Sequence, residues 1–237
     1  MLEVDDLAGK TFLDIGCGSG LFSLAARSLG ATVFSFDYDP QSVACARELK
    51  NKFFPDDTLW KIEEGSVLEQ EYMKHLGRFD VVYSWGVLHH TGNLMEALDN
   101  AKIPVSEDGI LCIAIYNDQE FVSKFWTKVK KLYCSGWFGK CLITGIFVPL
   151  FTVQSLIAGL VKQGKLFGYF SNYKLKRGMS IYYDWIDWLG GYPFEVAKPE
   201  KIFLCYREEN FKLKNLKTTN RLGCNEFVFQ KISRKTS

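Results

Sequence analysis

The 237 residues are 47% hydrophobic and 24% charged, with 29 basic against 27 acidic side chains and a formal net charge of +2. Such a balance excludes a disordered chain and removes the electrostatic case for a nucleic-acid partner. Seven cysteines without C-x-x-C or Cys/His spacing read as thiols of a reducing, cytoplasmic compartment, with no metal site expected, and an N-terminus carrying acids but no apolar core is unlike a signal peptide.

From Thr11, "TFLDIG" reads as a strand, "GLFSLAARSLG" as a helix ending at Gly30, and "TVFSFD" as a second strand. "PQSVACARELKNKF" is a helix with Pro40 in its first turn and Asp39 as its cap. "TLWKIEEG", "FDVVYSW" and "GILCIAIY" supply three more strands, with the helix "NLMEALDNAKIPV" between the last two. Continuous apolar strands alternating with helices predict a parallel sheet covered on both faces. From Gln119 to Lys198 the rhythm stops for a stretch too long for a loop, which is expected to form a mostly helical cap. A helix, "KPEKIFLCYREEN", then precedes the strands "FKLKNLKTTN" and "NEFVFQKI". Strands this close in sequence pair antiparallel, so the sheet is expected to finish on a reversed edge strand. The predicted fold class is α/β: a Rossmann-like, seven-stranded, mostly parallel sheet with an antiparallel last strand and helices on both faces. Residues 1–118 and 199–237 would form it, with 119–198 as an inserted helical cap or substrate region.

The stretch "FLDIGCGSG", residues 12–20, is built for a ligand: a strand carries Asp14, and Gly16, Gly18 and Gly20 follow. The dinucleotide fingerprint G-x-G-x-x-G would need glycine where Leu21 stands, and Asp14 would repel a pyrophosphate. No Gly-Lys-Ser/Thr follows, which excludes a P-loop. A ligand with a positive group fits better. The stretch resembles the D-x-G-x-G-x-G motif of class I S-adenosylmethionine-dependent methyltransferases, of the small-molecule type to which ubiquinone-biosynthesis methyltransferases belong.

That resemblance implies S-adenosyl-L-methionine as cofactor and S-adenosyl-L-homocysteine as product. The loop would admit the methionine end, with Asp14 helping to hold its ammonium group directly or through water. Asp37, about twenty residues beyond the loop, suits a bidentate bond to the ribose hydroxyls, and by analogy Tyr38 would lie against the adenine. Where the family places an acid near the adenine amino group this chain has Ser66, so the Ser66 hydroxyl or the Val67 backbone is expected there instead. "SWGVLHHTGN" looks like the segment in which Trp85 and Gly86 line the methionine portion. The resemblance covers residues 11–118 and 199–232. The loop comes so early that the helix preceding it in many such enzymes is expected to be missing.

Methyl transfer from a sulfonium needs an in-line nucleophile, dry walls and sometimes a base. His89 and His90, just past the fourth strand, are the candidate bases, with His89 preferred because His90 is expected to face solvent; the alternative is a pair that satisfies loop carbonyls. In "RGMSIYYDWIDWLGGYPFEVAKP", Asp184, Asp187 and Trp188 fall on one helical face, followed by Tyr192 and Glu195. These five either bind a polar ring or amine of the acceptor, or fasten the cap by buried hydrogen bonds. The expected acceptor is a hydroxyl of a small or lipid-linked molecule seated between "GVLHHTGN" and the cap. The alternatives are an N- or carboxyl-methyltransferase, an NAD(P)-dependent oxidoreductase, and a non-catalytic partner subunit. Finally, residues 141–161 carry no charge and are long enough to span a bilayer. One crossing would part the last strands from their sheet, so a transmembrane helix is rejected. With Pro149, Gln154 and Ser155 interrupting the run, it is expected to form two buried cap helices. The other reading is an apolar face touching membrane or a lipidic substrate, peripherally, with "KVKKLY" and "KQGK" meeting anionic lipid.

Overall fold

The apolar runs pair into one sheet. In the computed structural model, which describes residues 2, 4–167, 169, 170, 173 and 180–233, seven strands form: β1 (Thr11–Ile15), β2 (Thr32–Asp37), β3 (Trp60–Glu64), β4 (Phe79–Trp85), β5 (Val105–Tyr116), β6 (Phe211–Lys217) and β7 (Cys224–Lys231). Their order is β3-β2-β1-β4-β5-β7-β6. β1 to β5 are parallel to one another, and β7 is antiparallel to both β5 and β6. The last strand is thus reversed as expected, but it is not the edge. β7 supplies the core side chains Phe227 and Phe229, 1% and 0% exposed, so it lies inside the sheet. β6, with Lys212, Lys214 and Lys217 along it, is the charged edge that discourages further pairing.

Strand alternation sorts the side chains between two cores. Leu13 and Ile15 of β1 join one core with Leu98, Ile202 and Tyr206, contributed by α4 (Leu94–Ala101) and α8 (Pro199–Arg207). Phe12 joins the other with Ala26, Val43 and Ala46, from α1 (Leu21–Ser28) and α2 (Pro40–Phe53). Asp39 caps α2 by accepting from the amides of Gln41 and Ser42 at 3.1 and 3.2 Å. A short helix with no counterpart in the sequence reading, α3 (Gln70–His75), is anchored by the fully buried Met73. From β1 the chain winds outward through β2 to β3 and then crosses back to β4 on the other side of β1. That reversal opens a crevice at the carboxyl ends of β1 and β4, where sheets of this kind take their ligands.

The chain divides into two compact units, Met1–Gln119 with Glu195–Ser237, and Glu120–Phe194. The second contains α5 (Phe121–Tyr133), α6 (Trp137–Gln163) and α7 (Ile181–Gly190). They pack around Val129, Tyr133, Ile143 and Leu189, with Trp126, Phe147, Phe151 and Trp188 closing the cluster. Residues 141–161 are not two buried helices. They belong to the single helix α6, and only 11% of its most apolar window is buried. Pro149 and Gly145 are both exposed. The proline forfeits one bond, to the carbonyl four residues back, and the helix continues through it.

Candidate cofactor site

The glycine loop turns back over the end of β1. Gly16 and Cys17 donate their amides to the Phe36 carbonyl at 2.9 and 3.0 Å, and Gly20 donates to the Cys17 carbonyl at 2.8 Å. Gly16 and Gly18 adopt φ of +70° and +53°, the left-handed region that costs an L-residue a steric penalty. Their surroundings differ. A Cβ on Gly16 would stand 2.3 Å from Cγ1 of Val87, whereas one on Gly18 would meet nothing within 4 Å. Gly16 therefore seats the loop against the segment after β4, and Gly18 faces open space.

Asp37 closes the far side of the loop. Its Oδ2 accepts the Gly18 amide at 2.8 Å and its Oδ1 accepts the Asp39 amide at 2.9 Å. The carboxylate is thereby fixed at the tip of β2 with lone pairs to spare for a further partner. Tyr38 beside it is 82% exposed. Across the crevice, Trp85 at the end of β4 is 42% exposed, and Phe22 lies with its ring centroid 6.3 Å from Trp85 and 5.0 Å from Tyr83. Gly86 follows Trp85. Ser66 is half-buried, its hydroxyl accepting the Leu68 amide at 3.2 Å. Val67 is a core residue, its carbonyl taken by Asn100 Nδ2 at 2.9 Å.

Asp14 lies beneath the loop, only 2% exposed. Alternation along β1 turns it toward α1, where the buried Ser23 hydroxyl donates to its Oδ2. Ser23 Oγ lies 2.7 Å from Ser35 Oγ, which accepts from Trp60 Nε1 at 2.9 Å. Burial pushes the Asp14 carboxyl up to about 7, with the negative charge of Asp37 adding to the rise and the Ser23 bond opposing it. This network, like Phe22, is absent from the sequence reading. A serine nine residues past the acid is too common a spacing to signal a partner.

Of the two histidines, His90 is the more exposed, as expected, and His89 is enclosed altogether. His89 is fully buried; its ring packs 4.1 Å from Tyr116 and 4.6 Å from His90, and its Nδ1 accepts the Tyr116 amide at 3.4 Å. His90 is the partly exposed one. Both sit in a 3₁₀ turn, Leu88–His90, where adjacent side chains diverge widely. Glu195 has partners close to the histidines. Its amide donates to the His89 carbonyl at 2.9 Å, and its Oε1 accepts the Leu94 amide at the start of α4 at 3.2 Å. A carboxylate at a helix N-terminus is electrostatically favoured, and here it holds the turn that carries the histidines.

The remaining candidates belong to the second unit. Asp184 accepts from the Tyr173 hydroxyl, Asp187 is exposed, and Tyr192 is 39% exposed. Trp188 is a packing residue, 5.6 Å from Trp126 and 6.0 Å from Phe194 between ring centroids. Lys130, which the sequence did not single out, is 1% exposed with Nζ 3.8 Å from the centre of the Trp188 ring, and it donates to the Trp188 carbonyl. Burial lowers its ammonium to about 8, with Asp187 pulling the other way. Among the described residues no group of three His, Cys, Asp or Glu side chains could hold a metal ion.

A family model described as a methyltransferase domain matches residues 6–174. The ubiquinone biosynthesis O-methyltransferase of Glaesserella parasuis serovar 5 (strain SH0165) is 30% identical over 115 residues, 48% of this chain and 49% of that protein. The tRNA U34 carboxymethyltransferase of Cronobacter sakazakii (strain ATCC BAA-894) is 26% identical over 168 residues, covering 65% of this chain and 51% of its own. The chain spans about half the length of these curated relatives. Among solved structures, magnesium protoporphyrin IX methyltransferase from Synechocystis PCC 6803 with bound SAH shares the fold at a TM-score of 0.56 and 13% identity, covering 95% of this chain and 75% of that one. A Mesorhizobium loti S-adenosylmethionine-dependent methyltransferase does so at a TM-score of 0.54 and 13% identity, covering 96% and 94%. The chain belongs to the methyltransferase-domain family, the class I S-adenosylmethionine-dependent methyltransferases.

Proposed function

We propose that this chain binds S-adenosylmethionine in the crevice between β1 and β4 and methylates an oxygen of a small or lipid-linked acceptor. The observation that carries the reading is the pairing of Asp37 with Gly18: the carboxylate is held by the loop amide at 2.8 Å, beside a glycine with open space above it. When bound, the cofactor supplies a sulfonium methyl that an in-line nucleophile can displace.

The chain's own residues do the rest. Asp37 accepts the ribose hydroxyls with the lone pairs its two amide bonds leave, and Tyr38 and Trp85 cover the nucleoside with surface now turned to solvent. Gly16 and Gly18 let the backbone come close to the amino-acid tail. Asp14 acts from below, holding the first turn of α1 through Ser23 rather than touching the ammonium group directly. Ser66 and Gly86 border the same crevice, and Val67 supports it from the core. His90 removes the proton of the acceptor hydroxyl, and the buried His89 positions it through their ring contact. An amine acceptor would not need that base, so the dependence of rate on His90 separates O- from N-methylation.

Titration calorimetry with S-adenosylhomocysteine tests the cofactor, on the wild type and on Asp37→Ala. The expected result is one site per chain, weakened at least tenfold by the substitution. No heat with the wild type would overturn the reading. A labelled-methyl screen against polar and lipid extracts then identifies the acceptor class.

A further inference from the structure

From Phe121 to Tyr183 the sequence carries ten lysines and arginines and not one aspartate or glutamate, although the whole chain is only +2. The excess positive charge is thus confined to the second unit and the remainder of the chain is net negative. Six of these cations, Lys124, Lys128, Lys131, Lys140, Lys162 and Lys165, are exposed on α5, on α6 and just after it. Among them runs an apolar stripe. Phe138, Leu142, Ile146, Leu150, Val153 and Ile157 recur at three- and four-residue spacing along α6 and are 42–72% exposed. The adjacent face, about 100° round the helix, packs in the unit's own core through Ile143, Phe147 and Phe151.

We propose that α6 and the lysines beside it form a docking surface for an anionic lipid bilayer, with the helix lying in the plane of the interface. Exposed apolar patches of this extent mark binding surfaces. A stripe of this kind ringed by cations and free of acids matches the chemistry of a bilayer bearing negative headgroups. The helix does not span. The chain passes through α6 once before returning to β7, which pairs with β5 from Ile110↔Gln230 to Tyr116↔Cys224; a crossing would leave those strands on opposite sides of the membrane.

The test floats the full chain with vesicles of equimolar phosphatidylglycerol and phosphatidylcholine, and with phosphatidylcholine alone. The protein is expected to float with the anionic vesicles only, and less as salt rises. Ile146→Glu with Leu150→Glu should abolish flotation while leaving the helical circular dichroism and S-adenosylhomocysteine binding unchanged. Lys124→Gln with Lys128→Gln should lower the partition coefficient about 30-fold, at ~1 kcal/mol per lysine near the surface. Absence of flotation, or flotation indifferent to the glutamates, would overturn the proposal. So would a concentration-dependent dimer that Leu150→Glu dissolves, which would assign the stripe to a second copy of the chain. Loss of nucleoside binding alone would leave this surface standing, so the two readings fail separately.

Discussion

Gly16 and Gly18 permit a matched experiment, because one substitution at two neighbouring positions has opposite consequences. Both residues have positive φ, +70° and +53°, so alanine at either costs about 1–2 kcal/mol in backbone strain. The entropy that alanine removes from the unfolded chain is the same at both and cancels. At Gly16 the new Cβ would also stand 2.3 Å from Cγ1 of Val87, and relieving that overlap adds about 1–3 kcal/mol. Gly16→Ala should therefore be destabilised by about 2–5 kcal/mol in urea unfolding and Gly18→Ala by only about 1–2 kcal/mol. Binding should rank the other way for the folded protein. The Gly18 methyl would enter the open volume above the loop, and S-adenosylhomocysteine affinity should fall at least tenfold, about 1.4 kcal/mol. Equal stability of the two variants would refute the packing of the loop on Val87. Undiminished affinity in Gly18→Ala would refute the assignment of that volume to the ligand.

The histidines should separate in a similar manner. His90→Ala is expected to lower turnover on an oxygen acceptor about 100-fold and to remove the near-neutral inflection of the pH–rate profile, with S-adenosylhomocysteine affinity unchanged; undiminished turnover would remove it as the base. His89→Ala empties a fully buried site against Tyr116 and should cost about 2–3 kcal/mol in chemical denaturation. Asp14 gives a pH signature. Its folded carboxyl is raised from 3.8 to about 7, so the native state holds its proton more tightly than the unfolded chain. The stability this contributes is complete below pH 3.8 and is lost as pH rises through about 7. Asp14→Asn should accordingly gain stability relative to wild type between those limits, measured by urea unfolding across the range; a difference that does not vary with pH would contradict it.

The strands and the helices from α1 to α4, α3 apart, were legible because each is a run of apolar residues bounded by glycine, proline or a capping acid, with Asp39 before Pro40 the clearest case. The cofactor loop was legible for the same local reason: a buried strand must end where three glycines follow. What escaped depended on partners distant in sequence. The position of β7 follows from the burial of Phe227 and Phe229 against β5, which no local pattern encodes. α3 is too short for its period to register, and Met73 is its one fully buried residue. For α6, a helix apolar on every side does not reveal which side is covered, and Pro149 read as a break although exposure lets the helix carry it. The exposure of His90 was expected, but the complete burial of His89 was not, because burial in a 3₁₀ turn changes from one residue to the next. The two readings of Glu195 could not be separated locally, because the Leu94 amide that it accepts lies 101 residues away in sequence.

The measurement that bears most directly on the account is a crystal structure of the chain grown with S-adenosylhomocysteine. The nucleoside should lie at the carboxyl ends of β1 and β4, its ribose hydroxyls on Asp37 and its amino-acid tail over Gly16 and Gly18. Density for the same molecule in the second unit, or on any other surface with this crevice vacant, would contradict it.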